Sequence, residues 1–316
     1  MFYCKFLNRI TLKPYFFYYA MTKVTFLGTA DSIPSSGRNH TSILLTKNAE
    51  NILVDCGEGT QRQIRKARLN PCKITKILIT HWHGDHVLGL PGLLSTLALS
   101  NYNKKIDIYG PEGTEEKFWN CLEVFSFRRE YEIVFHEIGS GIFYEDDEII
   151  LEAEEMEHGV PCLAYSLIEK GHIRIKQEKL AEIGSGPHLK ALKEGSNVEI
   201  DGKKIKSKDY TYKEEDKKIS IVMDTKLNTK IKKFVKNSDL FISEGTYSSD
   251  LKKEAKEHMH LTIGQVAEIA KKAKVKKLAV THISSRYLKT LDSFLDEAKE
   301  VFLDTFLPRD LDTFNL

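Results

Sequence analysis

The stretch Thr80-His81-Trp82-His83-Gly84-Asp85-His86 places four potential metal ligands, His81, His83, Asp85 and His86, within six residues, directly after the apolar run Ile77-Leu78-Ile79. Crowding neutral imidazoles and an ionised carboxylate at a buried strand end costs free energy unless a cation compensates them. Mixed nitrogen and oxygen donors suit zinc ahead of manganese or iron. Gly84 lets the backbone turn sharply, so that two histidines can address one ion while Asp85 and His86 address a second.

Such a cluster needs strands that end together. Residues 21–27 alternate polar and apolar and stop at Gly28, and 43–45 and 52–54 are short strands joined by a Lys-Asn-Ala-Glu hairpin. A basic helix over 61–69, a buried helix within 87–99 and a helix over 114–124 capped by Thr114 are expected. Strands are expected at 105–109, at 131–138 and, after a Gly-rich turn, at 148–156, the last delivering His158. Further strands end at Asp224, Glu244 and His282, separated by helices over 229–236 and 262–274, the latter capped by Thr262. Strands alternating with helices, with polar residues collected at one edge, predict a layered α/β fold with its site on the strand termini. The strand-end residues His81, His83, Asp85, His86, His158, Asp224 and His282 suffice for two zinc ions per chain.

Residues 170–218 break the rhythm, with mixed lysines and acids, a Gly-Ser-Gly-Pro breaker at 184–187 and a short helix at 188–192. The stretch reads either as a solvated insertion or as an arm that touches a polyanion through its lysines. The formal charge of the 316-residue chain is only +2, so nucleic-acid binding needs a local patch. Five scattered cysteines without a C-x-x-C pair read as reduced thiols of a cytoplasmic protein. No run approaches the roughly 20 apolar residues that span a bilayer, so no membrane role is expected. Residues 1–20 match no targeting segment and read as a mis-assigned start or an N-terminal extension, ahead of a main domain over 21–316.

The H-x-H-x-D-H motif at 81–86 resembles that of the metallo-β-lactamase superfamily, which implies an αββα sandwich. Finer motifs are similar to those of the ribonuclease Z family of tRNA 3′-processing endonucleases. They are Phe26-Leu27-Gly28-Thr29, Pro34 with Arg38-Asn39, Asp55-Cys56-Gly57-Glu58-Gly59-Thr60-Gln61, His158 with Pro161, Asp224-Thr225, Glu244-Gly245-Thr246, His260-Leu261-Thr262 and Thr281-His282-Ile283-Ser284-Ser285-Arg286-Tyr287. The resemblance implies that His81, His83 and His158 hold one zinc, that Asp85, His86 and His282 hold the other, and that Asp224 bridges them. It implies that His260, partnered by Glu244, is the catalytic histidine, and the chemistry of phosphodiester hydrolysis makes His260 the candidate general acid, with Asp85 or Asp224 to orient the water. It further implies a precursor-tRNA substrate and a homodimer in which the arm near 170–218 of one subunit serves its neighbour. Ser35-Ser36-Gly37 stands where the family often has a lysine, and Ser243 stands where it has the histidine of a His-Glu-Ala-Thr motif. His258 competes with His260 for the acid role, and Arg38, Arg62, Arg65, Arg68 and Arg286 are candidate phosphate contacts. A small phosphodiesterase, a lactonase or a non-catalytic RNA-binding protein on the same scaffold are the alternative readings.

Overall fold

The computed structural model describes residues 21–125 and 130–316, so the expectation for residues 1–20 lies outside the described residues. Two seven-stranded sheets lie face to face. The first takes its strands in chain order, Lys23–Gly28, Ser42–Lys47, Glu50–Val54, Lys76–Leu78, Ile106–Gly110 and Ile133–Glu137, and Thr313–Asn315 returns to pair with Lys23–Gly28 at its edge. The second runs in the order Thr305–Phe306, Lys277–Thr281, Leu240–Glu244, Lys217–Val222, Cys162–Glu169, Ile149–Met156 and Gly141–Glu145.

Side-chain alternation builds the layers. Val24, Phe26, Ile43, Leu45, Ile52 and Val54 of the first sheet meet Leu151, Leu163, Tyr165, Ile219, Ile221 and Leu240 of the second in one core. The residues between them, such as Leu27, Leu44, Leu53 and Ile77, turn outward to Leu93, Leu97 and Phe118 of the helices Leu90–Leu99 and Thr114–Glu123. On the far side Val222, Phe241, Leu278 and Val280 pack on Ile231 and Val266 of the helices Thr229–Phe234 and Ile263–Ala273. Each such side chain stabilises the fold by about 1.5–3 kcal/mol on burial. The result is the expected αββα sandwich.

Strand direction gathers the site. Lys217–Val222, Leu240–Glu244 and Lys277–Thr281 are parallel. Cys162–Glu169 opposes Lys217–Val222, and Ile149–Met156 opposes Cys162–Glu169, so two reversals return Ile149–Met156 to the common direction. The carboxyl ends of all four strands therefore share one edge. The first sheet is stitched to that edge: Leu163 N–H donates to Thr80 O at 2.9 Å and the Tyr165 hydroxyl to Ile79 O at 2.7 Å.

Three local expectations need correction. Cys162–Glu169 is a central strand that the sequence reading passed over, because both of its faces are buried and no polar alternation marks it. The Gly-rich turn before residue 148 contains a further strand, Gly141–Glu145, which opens the second sheet. Thr114 does not cap its helix. Gly113 does, at φ 80°, while the Thr114 hydroxyl donates to Pro111 O at 2.6 Å. The cap expected at Thr262 is present as a capping box with Gln265.

Residues 170–216 lie between two neighbouring strands and fold as a small unit. It carries the helices Gln177–Ile183, His188–Lys193 and Ser207–Tyr210 around Ile183, Leu192, Ile205 and Tyr210. Leu192 is fully buried in that cluster. Leu192→Ala is expected to cost this unit about 2–5 kcal/mol. Hydrogen exchange should then rise across residues 177–210 and stay slow across 219–222 and 240–244; equal loss of protection in the sandwich would show that the unit does not open on its own.

Candidate active site

Both sheets end at a cleft of about 480 Å³ lined by His83, Asp85, His158, Asp224, His260 and His282, among others. The structure brings the seven strand-end residues together in two overlapping sets. His81, His83, His158 and Asp224 form one, and Asp85, His86, Asp224 and His282 the other, with the ligand atoms of each set within 4.8 Å of one another. Asp224 belongs to both. Its Oδ2 lies 3.6 Å from His81 Nε2 and from His86 Nε2, and its Oδ1 lies 3.2 Å from His282 Nε2.

A second layer of partners decides which ring nitrogen faces the cleft. Asp55 Oδ2 accepts from His86 Nδ1 at 2.7 Å, and the same carboxylate accepts the Thr80 N–H and hydroxyl, each at 2.8 Å. Met259 O accepts from His158 Nδ1 at 3.1 Å, and Thr246 Oγ1 meets His282 Nδ1 at 3.0 Å. Each leaves Nε2 turned inward, the second-layer pattern that orients metal-binding histidines. Asp55, Met259 and His282 hold these positions at φ 57°, 57° and 53°, backbone angles that bulky residues rarely adopt.

The donors fit a cation. His81 Nε2, His83 Nδ1 and His158 Nε2 converge within 3.2 Å contacts, an arrangement of inward-facing lone pairs that repel without a shared positive charge. His86 Nε2 and Asp224 Oδ1 are buried without a hydrogen-bond partner among the described residues. Burial lowers the His81 pKa, and the neighbouring His86 adds to that shift. Burial opposes charging of His86 too, but Asp55 and Asp224 outweigh it and raise that ring well above its ordinary value. Burial likewise disfavours ionised Asp224, yet His282 and His86 hold it well below the usual carboxylate range. The pocket draws in positive charge, which protons or metal ions can supply.

Glu244, fully buried, faces His260 with Oε1 and Oε2 at 3.1 and 3.0 Å from Nδ1. It also accepts the Thr225 N–H at 2.9 Å and the Thr246 hydroxyl at 2.7 Å. Burial works against a charged His260 ring, but the Glu244 carboxylate, by charge and hydrogen bond, raises its pKa to about 9. His258, the competitor, is exposed and stacks on Tyr247 with ring centroids 6.3 Å apart.

Of the five candidate arginines, all among the described residues, only Arg286 lines this cleft, its guanidinium 5.1 Å above the Tyr247 ring. Arg38 is buried, donating to Thr29 Oγ1 at 2.7 Å and Pro308 O at 3.0 Å, so it ties the 31–40 loop to the C-terminal segment and is withdrawn as a phosphate contact. Arg62 lines a separate small pocket, and Arg65 and Arg68 are exposed on or just past the helix Thr60–Lys66. The sequence reading missed Asp55, Thr80, Thr246 and the Met259 carbonyl. Asp55 alone carried a signal, because it too closes a strand, Glu50–Val54.

Over 303 residues, 93% of this chain and 99% of the relative, the protein is 41% identical to a ribonuclease Z of Listeria welshimeri. It is 34% identical over 296 residues, 92% of this chain and 97% of the relative, to a ribonuclease Z of Methanosarcina mazei. The crystal structure of the short form of human tRNase Z superposes with a TM-score of 0.69 at 28% identity, covering 93% of this chain and 98% of that one. A family model described as anti-Pycsar protein Apyc1 matches residues 22–138, the part that carries the cluster at 81–86.

Asp55 never enters the cleft, yet it sets His86. Asp55→Asn is expected to weaken metal binding about 10–100-fold, read with zinc as the probe by competition with a chromophoric chelator. An unchanged affinity in a folded variant would remove Asp55 from the orienting layer.

Proposed function

Because the chain belongs to the ribonuclease Z family, we propose that it is a zinc-dependent endoribonuclease that cuts the 3′ trailer from precursor tRNA in the cytoplasm. His81, His83 and His158 would hold one zinc ion and Asp85, His86 and His282 a second, with Asp224 available to both. The observation that carries this assignment is the position of Asp224 in both ligand sets, within 3.6 Å of a histidine from each. Among the described residues no helix is long and apolar enough to cross a membrane.

Hydrolysis adds a water oxygen to phosphorus, breaks the bond from phosphorus to the 3′-oxygen, and requires a proton on that departing oxygen. Zinc ions held here supply Lewis-acid stabilisation of phosphoryl charge and a lowered pKa for water. Asp85, with Oδ2 at 3.3 Å from both His86 and His282 and its side chain a tenth exposed, accepts a hydrogen bond from the attacking water and aims it. His260 donates the proton. Glu244 occupies its Nδ1, so the Nε2 proton is available to the cleft, and the carboxylate favours the donor form of the ring. The products are a tRNA with a 3′-hydroxyl and a trailer with a 5′-phosphate. Glu244 also bonds the residue after Asp224 and, through Thr246, reaches His282, so one buried carboxylate aligns acid and ligands together.

A precursor tRNA is far larger than a 480 Å³ cleft, and the unit at 170–216 is the natural second contact. We assign it the role of an arm on the tRNA, serving the neighbouring subunit of a homodimer.

Purified protein with zinc should cut a trailer-bearing precursor next to the discriminator base, and a chelator should stop it. His260→Ala should lose roughly 10²–10⁴-fold in single-turnover rate at unchanged metal content. Protein shown to hold two metals per chain that leaves the precursor intact would overturn the reading in favour of small phosphodiesters or lactones. Removing residues 170–216 should abolish precursor cleavage and spare hydrolysis of bis(4-nitrophenyl) phosphate. Mixing that deletion with His260→Ala subunits should restore precursor cleavage, since one subunit brings the arm and the other the acid; two inactive partners that stay inactive when co-assembled would rule out service across the dimer.

A further inference from the structure

A second concave surface lies on the outer helices of the second sheet, between Thr229–Phe234 and Ile263–Ala273, and encloses about 1420 Å³. Six lysines line it, Lys232, Lys233, Lys236, Lys252, Lys272 and Lys274, against one carboxylate, Glu268. Lys272 pairs with Glu268 at 2.8 Å. The other five lysines are exposed and form no ion pair among the described residues. The whole chain carries only +2, so this is a local concentration of charge rather than a share of a general excess.

Helix dipoles explain part of it. Cations near a helix C-terminus are favourable, which accounts for Lys232, Lys233 and Lys272. Lys252 is the first residue of the helix Lys252–Glu257, where the dipole opposes a cation, and it faces the same groove. Local helix energetics therefore leave that charge, and the convergence of lysines from three helices, without a reason.

Three segments of chain contribute to both the cleft and the groove. Leu227 and Asn228 follow the segment of Asp224, Ser249 follows that of Thr246 and Tyr247, and Gly264 and Gln265 follow that of His260. Its floor includes the apolar Ile269, Ala273 and Val301. Spaced, unpaired ammonium groups over an apolar floor suit a chain of phosphates with intervening sugars.

We propose that this groove is a second RNA-binding surface, which holds a stretch of phosphodiester backbone continuous with the strand in the cleft. The inference rests on the ribonuclease reading above. It assigns substrate affinity to residues that never touch the scissile phosphate. The backbone comes either from the body of the tRNA or from the trailer.

The test replaces the five unpaired lysines together, Lys232→Gln, Lys233→Gln, Lys236→Gln, Lys252→Gln and Lys274→Gln, in His260→Ala protein so that bound substrate stays uncut. Binding of precursor tRNA is measured across a salt series. Loss of several phosphate contacts should raise Kd at least about tenfold and flatten the slope of log K against log salt by about 0.7–0.9 per contact. In the otherwise wild-type enzyme the same five changes should leave bis(4-nitrophenyl) phosphate hydrolysis unchanged, which reports an intact fold and centre. Equal weakening for mature tRNA and precursor assigns the groove to the tRNA body, and weakening only for trailer-bearing RNA assigns it to the trailer; both support the proposal. Unchanged Kd and salt slope for both RNAs would overturn it while leaving the ribonuclease reading intact. Wild-type protein that neither binds nor cuts precursor tRNA would instead overturn that reading and the groove's RNA with it.

Discussion

The carboxylate of Asp224 is almost fully buried where the two sheets meet, within 3.8 Å of nitrogen atoms from His81, His86, His158 and His282. An ionised carboxylate in that position is tolerable only with concentrated positive charge beside it. Much of the surrounding architecture serves that requirement. Asp55 and the Met259 carbonyl occupy the outer nitrogens of His86 and His158, and Thr246 lies against the outer nitrogen of His282, so the inner nitrogens face the buried carboxylate. The rare backbone angles at Asp55, Met259 and His282 are held by the same contacts.

Neither sheet contains a complete ligand set. His81, His83, Asp85 and His86 follow the first sheet's strand Lys76–Leu78, whereas His158, Asp224 and His282 follow strands of the second. Each candidate ion position thus draws on both sheets. Packing of the sandwich core and assembly of the site are one event, and a cation bound at the seam would stabilise the apposition of the sheets by mass action. The proposed acid is arranged differently: Glu244 and His260 both belong to the second half of the chain, so this pair is positioned without the first sheet.

The cleft is small and polar, and the overall charge is near zero. Affinity for a large polyanion therefore has to be distributed over outlying parts of the surface. The unit at 170–216 and the lysine groove over the outer helices, the two surfaces proposed for that grip, share no residue with the clustered histidines and aspartates. Separating chemistry from grip in this way would let one centre act on a substrate whose recognition is mostly by shape and backbone.

The ligands at 81–86 were legible because they are local: their density in one turn has no inexpensive structural explanation without a cation. The strand ends at His158, Asp224 and His282 were legible from short apolar runs followed by polar residues, the layered α/β class from their alternation with helices, and the αββα arrangement from the family resemblance. The strand Cys162–Glu169 was not, because burial on both faces erases the two-residue period that a sequence reading depends on. Arg38 read as a candidate phosphate contact, and only its contact with Pro308, at the other end of the chain, reveals a structural tie. Asp55, at a strand end, and Thr246 stand in family motifs, but neither announces its task there; their roles arise from contacts with His86 and His282, which are distant along the chain. The sequence by itself determined which groups could do the chemistry, since side-chain type and local period are properties of short segments. Only the tertiary structure decided which nitrogen each histidine presents, which carboxylate is shared and which lysines converge, because these depend on strand direction and long-range packing that no local pattern encodes.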